Sequence, residues 1–250
     1  MCILALAWQV IPGRPLILIG NRDEFFHRDA SPLAPWPDRP IIAGRDLQSG
    51  GAWLGMTLGG RWAVITNYRD GKVPATDAPT RGELVADYLT SAQAPLAYLL
   101  SIDQERYAGF NLIVGTLTEA AVLGNRGTPA QMLAPGLHTL SNALLDTPWP
   151  KTQRLCSGFS TLDLAGDFEV IEQAGLALLL DDTKAADEQL PRTGISVDME
   201  KMLSSIRIDS PIYGTRVSSV LLLSDQGYRF SEKTLRPVEG DLVQLGGDWR

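Results

Sequence analysis

Residues 1–10, Met-Cys-Ile-Leu-Ala-Leu-Ala-Trp-Gln-Val, and residues 16–24, Leu-Ile-Leu-Ile-Gly-Asn-Arg-Asp-Glu, decide how this chain is read. Residues 2–10 are an apolar run that predicts a strand. Pro12-Gly13-Arg14-Pro15 is turn chemistry, and Leu16–Ile19 returns as a second strand. Asn21-Arg22-Asp23-Glu24 then begins where that strand ends, in a loop beside the amino terminus. An initiator methionine is normally removed ahead of a small residue, which makes Cys2 the mature terminus and puts a thiol and a free amine on one Cα. The thiolate is the reactive form of cysteine, and an α-amine with a pKa of about 7.7–8.0 is a base at neutral pH. Cys2 therefore combines nucleophile and general base without a catalytic histidine. Asp23 is its partner, since a carboxylate near that ammonium orients it and tunes its pKa. As residue types, positions 21–24 also suit a salt-bridged turn.

Outward from this pair, residues 31–50 are rich in Pro and Gly and read as a surface excursion. A hairpin follows, with strands at 52–58 and 61–66 around Gly59-Gly60. Leu84, Val85, Tyr88 and Leu89 form a helical stripe, and a second helix spans 96–106 after Pro95. Strands are expected at 110–117, 120–123 and 137–140, and helices at 150–160 and 169–180. Met199, Met202, Leu203 and Ile206 recur at helical spacing. Asp181–Arg192 is a charged, exposed loop. Residues 215–223 and 228–230 are strands around a turn at 224–227. Strands at both ends with helices in two blocks argue for an α+β layered chain rather than alternating βαβ units. With no long linker and no repeat, residues 1–250 read as a single domain.

The Asn-Arg-Asp-Glu motif is followed, in order, by Gly51-Ala52-Trp53-Leu54-Gly55, Thr66-Asn67-Tyr68-Arg69, Leu140-Ser141-Asn142 and Tyr213-Gly214-Thr215-Arg216. Together these resemble the NRDE family of transport-and-Golgi-organisation-2-like proteins. The resemblance implies a four-layer αββα sandwich of mainly antiparallel sheets, the N-terminal-nucleophile hydrolase-like fold. It also implies association with intracellular haem trafficking and with lipid and acyl-coenzyme handling. Cysteine hydrolases of that fold place an Asp a short hairpin after the nucleophile, a position similar to Asp23. They keep an Arg close to it; Arg22 is adjacent here, where bile-salt-hydrolase-like enzymes read Arg-Asn-x-Asp. Related folds also use an Asn after a strand, and Ser141-Asn142 resembles one of them.

Residue chemistry supplies the rest of the candidate site. Asn67 and Asn142 each follow a strand, where a side-chain amide can donate to an oxyanion, although such an Asn also forms turns. Arg216 lies in an otherwise apolar strand and calls for an acid, either Asp23 or Glu24, or for a carboxylate or phosphate on a ligand. Cys2, His27 and His138 are the candidate axial ligands should haem bind. There is no C-x-x-C-H attachment sequence, no metal-ligand cluster and no phosphate-cradling glycine loop. Trp36, Trp53, Trp62 and Trp149 are candidate pocket walls. Cys156, with Leu155, Phe159 and Leu162, reads as a core thiol without chemistry.

Two readings follow. In the first, the chain is a binding or trafficking protein for haem or an acyl-coenzyme-like, lipid-like ligand, held by Asn21, Arg22, Asp23, Glu24 and Arg216. In the second, it is an amidohydrolase that cleaves a C–N bond with Cys2, Asp23, Asn67, Asn142 and Arg216. No cofactor is required in either, and haem enters only as a ligand. A net charge of −7 excludes a phosphate-backbone footprint, so no nucleic acid is expected. Two cysteines suit a reducing compartment. No apolar stretch approaches a membrane span and no targeting signal is present, so a cytoplasmic location is expected. The sequence leaves the oligomeric state open.

Overall fold

The computed structural model describes residues 2–72 and 78–249. In chain order the strands begin with β1 (Cys2–Ile11), β2 (Arg14–Phe25), β3 (Ala30–Pro35), β4 (Ile42–Asp46), β5 (Leu54–Met56) and β6 (Trp62–Asn67). Helices α1 (Gly82–Thr90) and α2 (Pro95–Ser101) come next, then β7 (Phe110–Gly115), β8 (Ala120–Gly124), β9 (Thr128–Met132) and β10 (Gly136–Leu140). The chain closes with α3 (Pro150–Ser160), α4 (Phe168–Leu178), α5 (Val197–Met202), β11 (Tyr213–Leu223), β12 (Gly227–Thr234) and β13 (Leu242–Asp248).

Two antiparallel sheets result, ordered β10-β1-β2-β11-β12-β13 and β3-β4-β5-β6-β7-β8-β9. Strand periodicity decides what lies between and outside them, because alternate side chains leave opposite faces. On β1, Cys2, Leu4, Leu6 and Trp8 join Leu54, Met56, Trp62 and Val64 of the other sheet in the inter-sheet core. Ile3, Ala5 and Ala7 point the other way, onto Leu155 and Phe159 of α3 and Ile171 of α4. Helices α1 and α2 cover the far face of the seven-stranded sheet through Leu84, Val85, Tyr88 and Leu99. The order is therefore helix, sheet, sheet, helix, and the α+β four-layer sandwich stands as expected.

Three expectations about elements change. The Asn21–Glu24 motif is not a loop: β2 continues through it to Phe25, paired with β1 on one side and β11 on the other. Residues 31–50 are not a surface excursion either, since β3 and β4 form the edge of the seven-stranded sheet. The helix expected over 96–106 ends at Ser101, where Ile102 turns extended. Cys156 is half-buried, and only Leu155 and Phe159 of its turn reach the core.

No helix among the described residues is long and apolar enough to cross a membrane.

Candidate functional site

The site forms where the two sheets splay at the ends of β1 and β2. Cys2 lies directly opposite Arg22 in the β1–β2 ladder, and both face the inter-sheet space. A cavity of about 100 Å³ opens there. Cys2, Arg22, Asp23 and Glu24 form its floor; Asp46, Trp53 and Asn67 come from the opposite sheet. Thr80, Arg81 and Gly82, at the start of α1, close the rim. Two glycines make the closeness possible. A Cβ on Gly20 would sit 3.2 Å from the Trp53 ring, and one on Gly51 only 2.4 Å from the Gly82 carbonyl carbon.

Cys2 is 6% exposed. Burial pushes its thiol up and the Asp23 charge adds to that, while Arg22 and the main-chain amide of Asp23 favour the thiolate. Asp23 is also pushed up by burial, with Lys151, the Thr215 hydroxyl and Arg22 among the groups pulling it back. Thr215 Oγ1 donates to Asp23 Oδ1 at 2.7 Å and accepts from the Ile208 amide at 2.9 Å, so its hydroxyl proton has one direction to point.

The structure separates the sequence candidates. Asn21 faces the helical layer: its Nδ2 donates to Leu179 O and Ile206 O, and its Oδ1 accepts from Ser218 at 2.7 Å. It ties β2 to the helices and does not line the cavity. Arg22 lines it and pairs with Asp46 at 3.0 Å. Asp46 is desolvated by burial yet held below the usual carboxylate range by Arg28, which bonds it at 2.5 Å. Glu24 lies on the cavity floor, 3.8 Å from Arg22.

Asn67 ends β6 in the cavity wall, and its side-chain amide makes no hydrogen bond among the described residues. Asn142 lies behind that wall. Its Nδ2 donates to Asn67 O at 2.9 Å and its Oδ1 accepts from Ser141 at 3.2 Å, while Ser141 also donates to the Cys2 carbonyl at 2.9 Å. Of the two, Asn67 is the amide free to meet an oxyanion.

Arg216 stands apart from Cys2. It occupies the irregular step of the β2–β11 pairing, and its Nη1 donates to the carbonyls of Phe25, Phe26 and Arg28 rather than to Asp23 or Glu24. It lines a second cavity of about 240 Å³, whose walls include Pro32, Val217, Pro237 and Glu232. Arg22, Asp46 and Trp53 line both cavities, so the ion pair and the indole form a shared partition.

Both ring nitrogens of His138 are engaged, Nδ1 with Asp146 at 2.7 Å and Nε2 with Ala134 O at 2.9 Å. His27 is exposed, its ring 5.5 Å from that of Phe25. Trp53 is a pocket wall, Trp62 is core beside Trp8, and Trp149 covers Arg69. No cluster of metal-ligating side chains exists among the described residues.

Three residues escaped the sequence reading: Asp46, Arg81 and Lys151. Lys151 is 2% exposed and pushed down to about 7, first by burial and then by the neighbouring Arg69. A signal for it existed, because Lys151 precedes Leu155 by four residues and Phe159 by eight, on the buried stripe of α3.

Comparison with known proteins completes the description. The model of the family described as Transport and Golgi organisation 2 matches residues 1–237. The Transport and Golgi organization protein 2 homologs of Bos taurus and Homo sapiens are 35% and 34% identical, each alignment covering 94% of this chain and 93% of the relative. The Drosophila melanogaster protein is 26% identical over 96% of this chain and 94% of its own. Among solved structures, an N-acylethanolamine-hydrolyzing acid amidase ortholog of Caenorhabditis elegans superposes with a TM-score of 0.47 at 12% identity, covering 88% of this chain and 92% of that one. A C2A mutant of conjugated bile acid hydrolase from Clostridium perfringens gives 0.47 at 9% identity, over 97% and 92%. By the family match and the identity shared with the mammalian relatives, the chain belongs to the Transport and Golgi organisation 2 family, the NRDE family.

Proposed function

We propose that the chain is an N-terminal-nucleophile cysteine amidohydrolase acting on a linear amide. One observation carries this: Cys2 and Asp23 share a small cavity with Asn67, whose side-chain amide makes no hydrogen bond among the described residues. With Met1 removed, the Cys2 amine takes the thiol proton and the sulfur adds to the amide carbonyl carbon. Asn67 donates to the oxyanion, and removing such a donor elsewhere costs about 2.7–4 kcal/mol. The C–N bond then breaks, the amine product leaving with the proton held by the Cys2 amine. Water, deprotonated by the same amine, hydrolyses the thioester and returns the thiol. Asp23 orients the ammonium between these steps.

The test is turnover of a panel of N-acyl amides by Met1-free protein. Cys2→Ala should abolish it with little change in melting temperature, and Cys2→Ser should retain little. Absence of any Cys2-dependent turnover overturns the reading.

A second reading, ligand binding without hydrolysis, draws on the larger cavity. Its arginines and apolar walls suit an anionic head and an acyl body, as in an acyl-coenzyme-like ligand. Haem draws less support, because His138 is committed to Asp146 and Ala134 and Cys2 faces only about 100 Å³. Saturation at one ligand per chain, weakened by Arg216→Met, is the expected result; non-saturating uptake overturns it.

A further inference from the structure

The larger cavity holds two charged side chains that no ion pair among the described residues answers. Its volume is about 240 Å³; at about 30 Å³ each, that is room for roughly eight groups the size of a water molecule. The other charges on its walls are paired: Arg22 with Asp46, Arg45 with Asp38 and Arg236 with Asp209. Arg216 and Glu232 are not, although they are only 7% and 3% exposed.

Arg216 spends Nη1 on the carbonyls of Phe25, Phe26 and Arg28, while Nε and Nη2 make no hydrogen bond among the described residues. Glu232 reaches into the cavity from β12. Its Oε1 accepts from the Leu33 amide at 2.8 Å and its Oε2 from the Ser219 hydroxyl at 3.2 Å. Both bonds are to neutral groups, and burial pushes the carboxyl up. Gly44 leaves this side chain its room, since a Cβ there would sit 3.3 Å from both carboxyl oxygens.

Two buried charges of opposite sign could balance one another, but their tethers hold them apart. Glu232 lies opposite Ser219 in the β11–β12 ladder, and Arg216 precedes Ser219 by three residues. At about 3.3 Å per residue and about 4.8 Å per strand, their backbones are roughly 10 Å apart. The guanidinium is drawn to the turn after β2, and the carboxyl to Ser219 and β3. Coulomb energy falls with distance while the desolvation of each ion does not, so mutual attraction leaves both undercompensated. The remaining wall is largely apolar, with Pro32, Trp53, Val217 and Pro237. Val238, 77% exposed, lines the same cavity where it meets solvent.

We propose that this cavity binds a small ω-amino acid, its carboxylate on Arg216 and its ammonium on Glu232, with the apolar chain between them. Nε and Nη2 offer the fork that suits a carboxylate, and each Glu232 oxygen keeps a second lone pair for an ammonium. The inference goes beyond both readings above, because it requires neither turnover at Cys2 nor a ligand that is only anionic.

Isothermal titration of the full-length protein with 6-aminohexanoate, hexanoate, hexylamine and norleucine tests it. Hexanoate lacks the ammonium, hexylamine lacks the acid, and norleucine carries both on one carbon. 6-Aminohexanoate should saturate at one per chain and bind at least about tenfold tighter than the other three, as one charge-assisted contact is worth. Glu232→Gln keeps an acceptor for the Leu33 amide but not the charge, and should erase the advantage over hexanoate. Arg216→Met should erase the advantage over hexylamine. Hexanoate binding as tightly as 6-aminohexanoate overturns the proposal in favour of an anionic ligand. Equal binding of norleucine overturns it too, and so does the absence of saturable 6-aminohexanoate binding, which leaves Arg216 a turn clamp and Glu232 a tie between sheets. If Arg216→Met does not fold, the ligand series and Glu232→Gln decide. No arm uses an amide substrate, so this inference and the hydrolase reading fail separately.

Discussion

Glu200→Ala would remove the prop behind the site, and the cost can be worked from its contacts. Glu200 Oε2 lies 2.5 Å from Arg69 Nη1, with side-chain exposures of 3% and 5%. Its Oε1 accepts from the Thr193 amide at 2.9 Å and hydroxyl at 2.7 Å. Truncating one partner of a buried pair leaves the other charge without compensation, at a cost of about 3–5 kcal/mol. The Thr193 groups are half-exposed and recover water, so they add little. For a chain of this size, about 2–4 °C is lost per kcal/mol, which gives a drop of about 6–20 °C. Denaturant unfolding and calorimetry should be run on Glu200→Ala, Arg69→Met and the double variant. The double variant should be more stable than Glu200→Ala, because no uncompensated charge remains buried. A Glu200→Ala cost below about 1 kcal/mol, or costs that add to within about 0.5 kcal/mol, would refute the reasoning.

Other outcomes follow from the same contacts. The folded pKa of Lys151 lies below its ordinary 10.5, near 7, so between those values the unfolded chain binds more protons and stability rises with pH. Wild type should gain about 2 kcal/mol of unfolding free energy between roughly pH 7 and 8.5, a slope that Lys151→Met should lack in parallel denaturant titrations. His138 is shifted the other way, raised by its bond to Asp146. Its stabilisation is present below the unfolded pKa and lost as pH rises through the folded one; Asp146→Asn should lower the His138 midpoint measured by NMR. Gly51→Ala would set a Cβ 2.4 Å from the Gly82 carbonyl carbon, and the overpacking should cost about 1–3 kcal/mol; an unchanged denaturation midpoint would contradict the tight β5–α1 approach.

Much of the fold was legible because its interior strands and amphipathic helices carry the right periods. β1, β7, β8 and β11 are apolar runs buried on both faces, and α3 shows its stripe plainly. Edge strands carry no such mark. β9 and β13 alternate weakly and are mostly exposed, so only pairing with β8 and β12 makes them strands. β2 misled for a different reason: its polar end resembles a loop in sequence, but Asn21 is satisfied by Ser218, Leu179 and Ile206, partners 158 to 197 residues away. At the site, residues 2 and 22–24 lie together because one hairpin joins them. Asp46, Arg81 and Lys151 arrive through tertiary contacts that no local pattern encodes, although the place of Lys151 on an apolar stripe was there to be read.

The Ser141-Asn142 turn has a mechanical side. Ser141 grips the Cys2 carbonyl of one sheet; Asn142 grips Asn67, at the end of β6 in the other, and its carbonyl accepts the Arg69 amide at 2.8 Å. The two sheets are thereby riveted along one margin of the gap that holds the thiol. A body fastened on one margin can yield only along the other, and there the gap is bounded by Ser49, Gly51, Thr80 and Arg81. The α1 end is therefore where entry to Cys2 is expected, and stiffening that margin alone should slow entry and exit without touching a residue that contacts the sulfur.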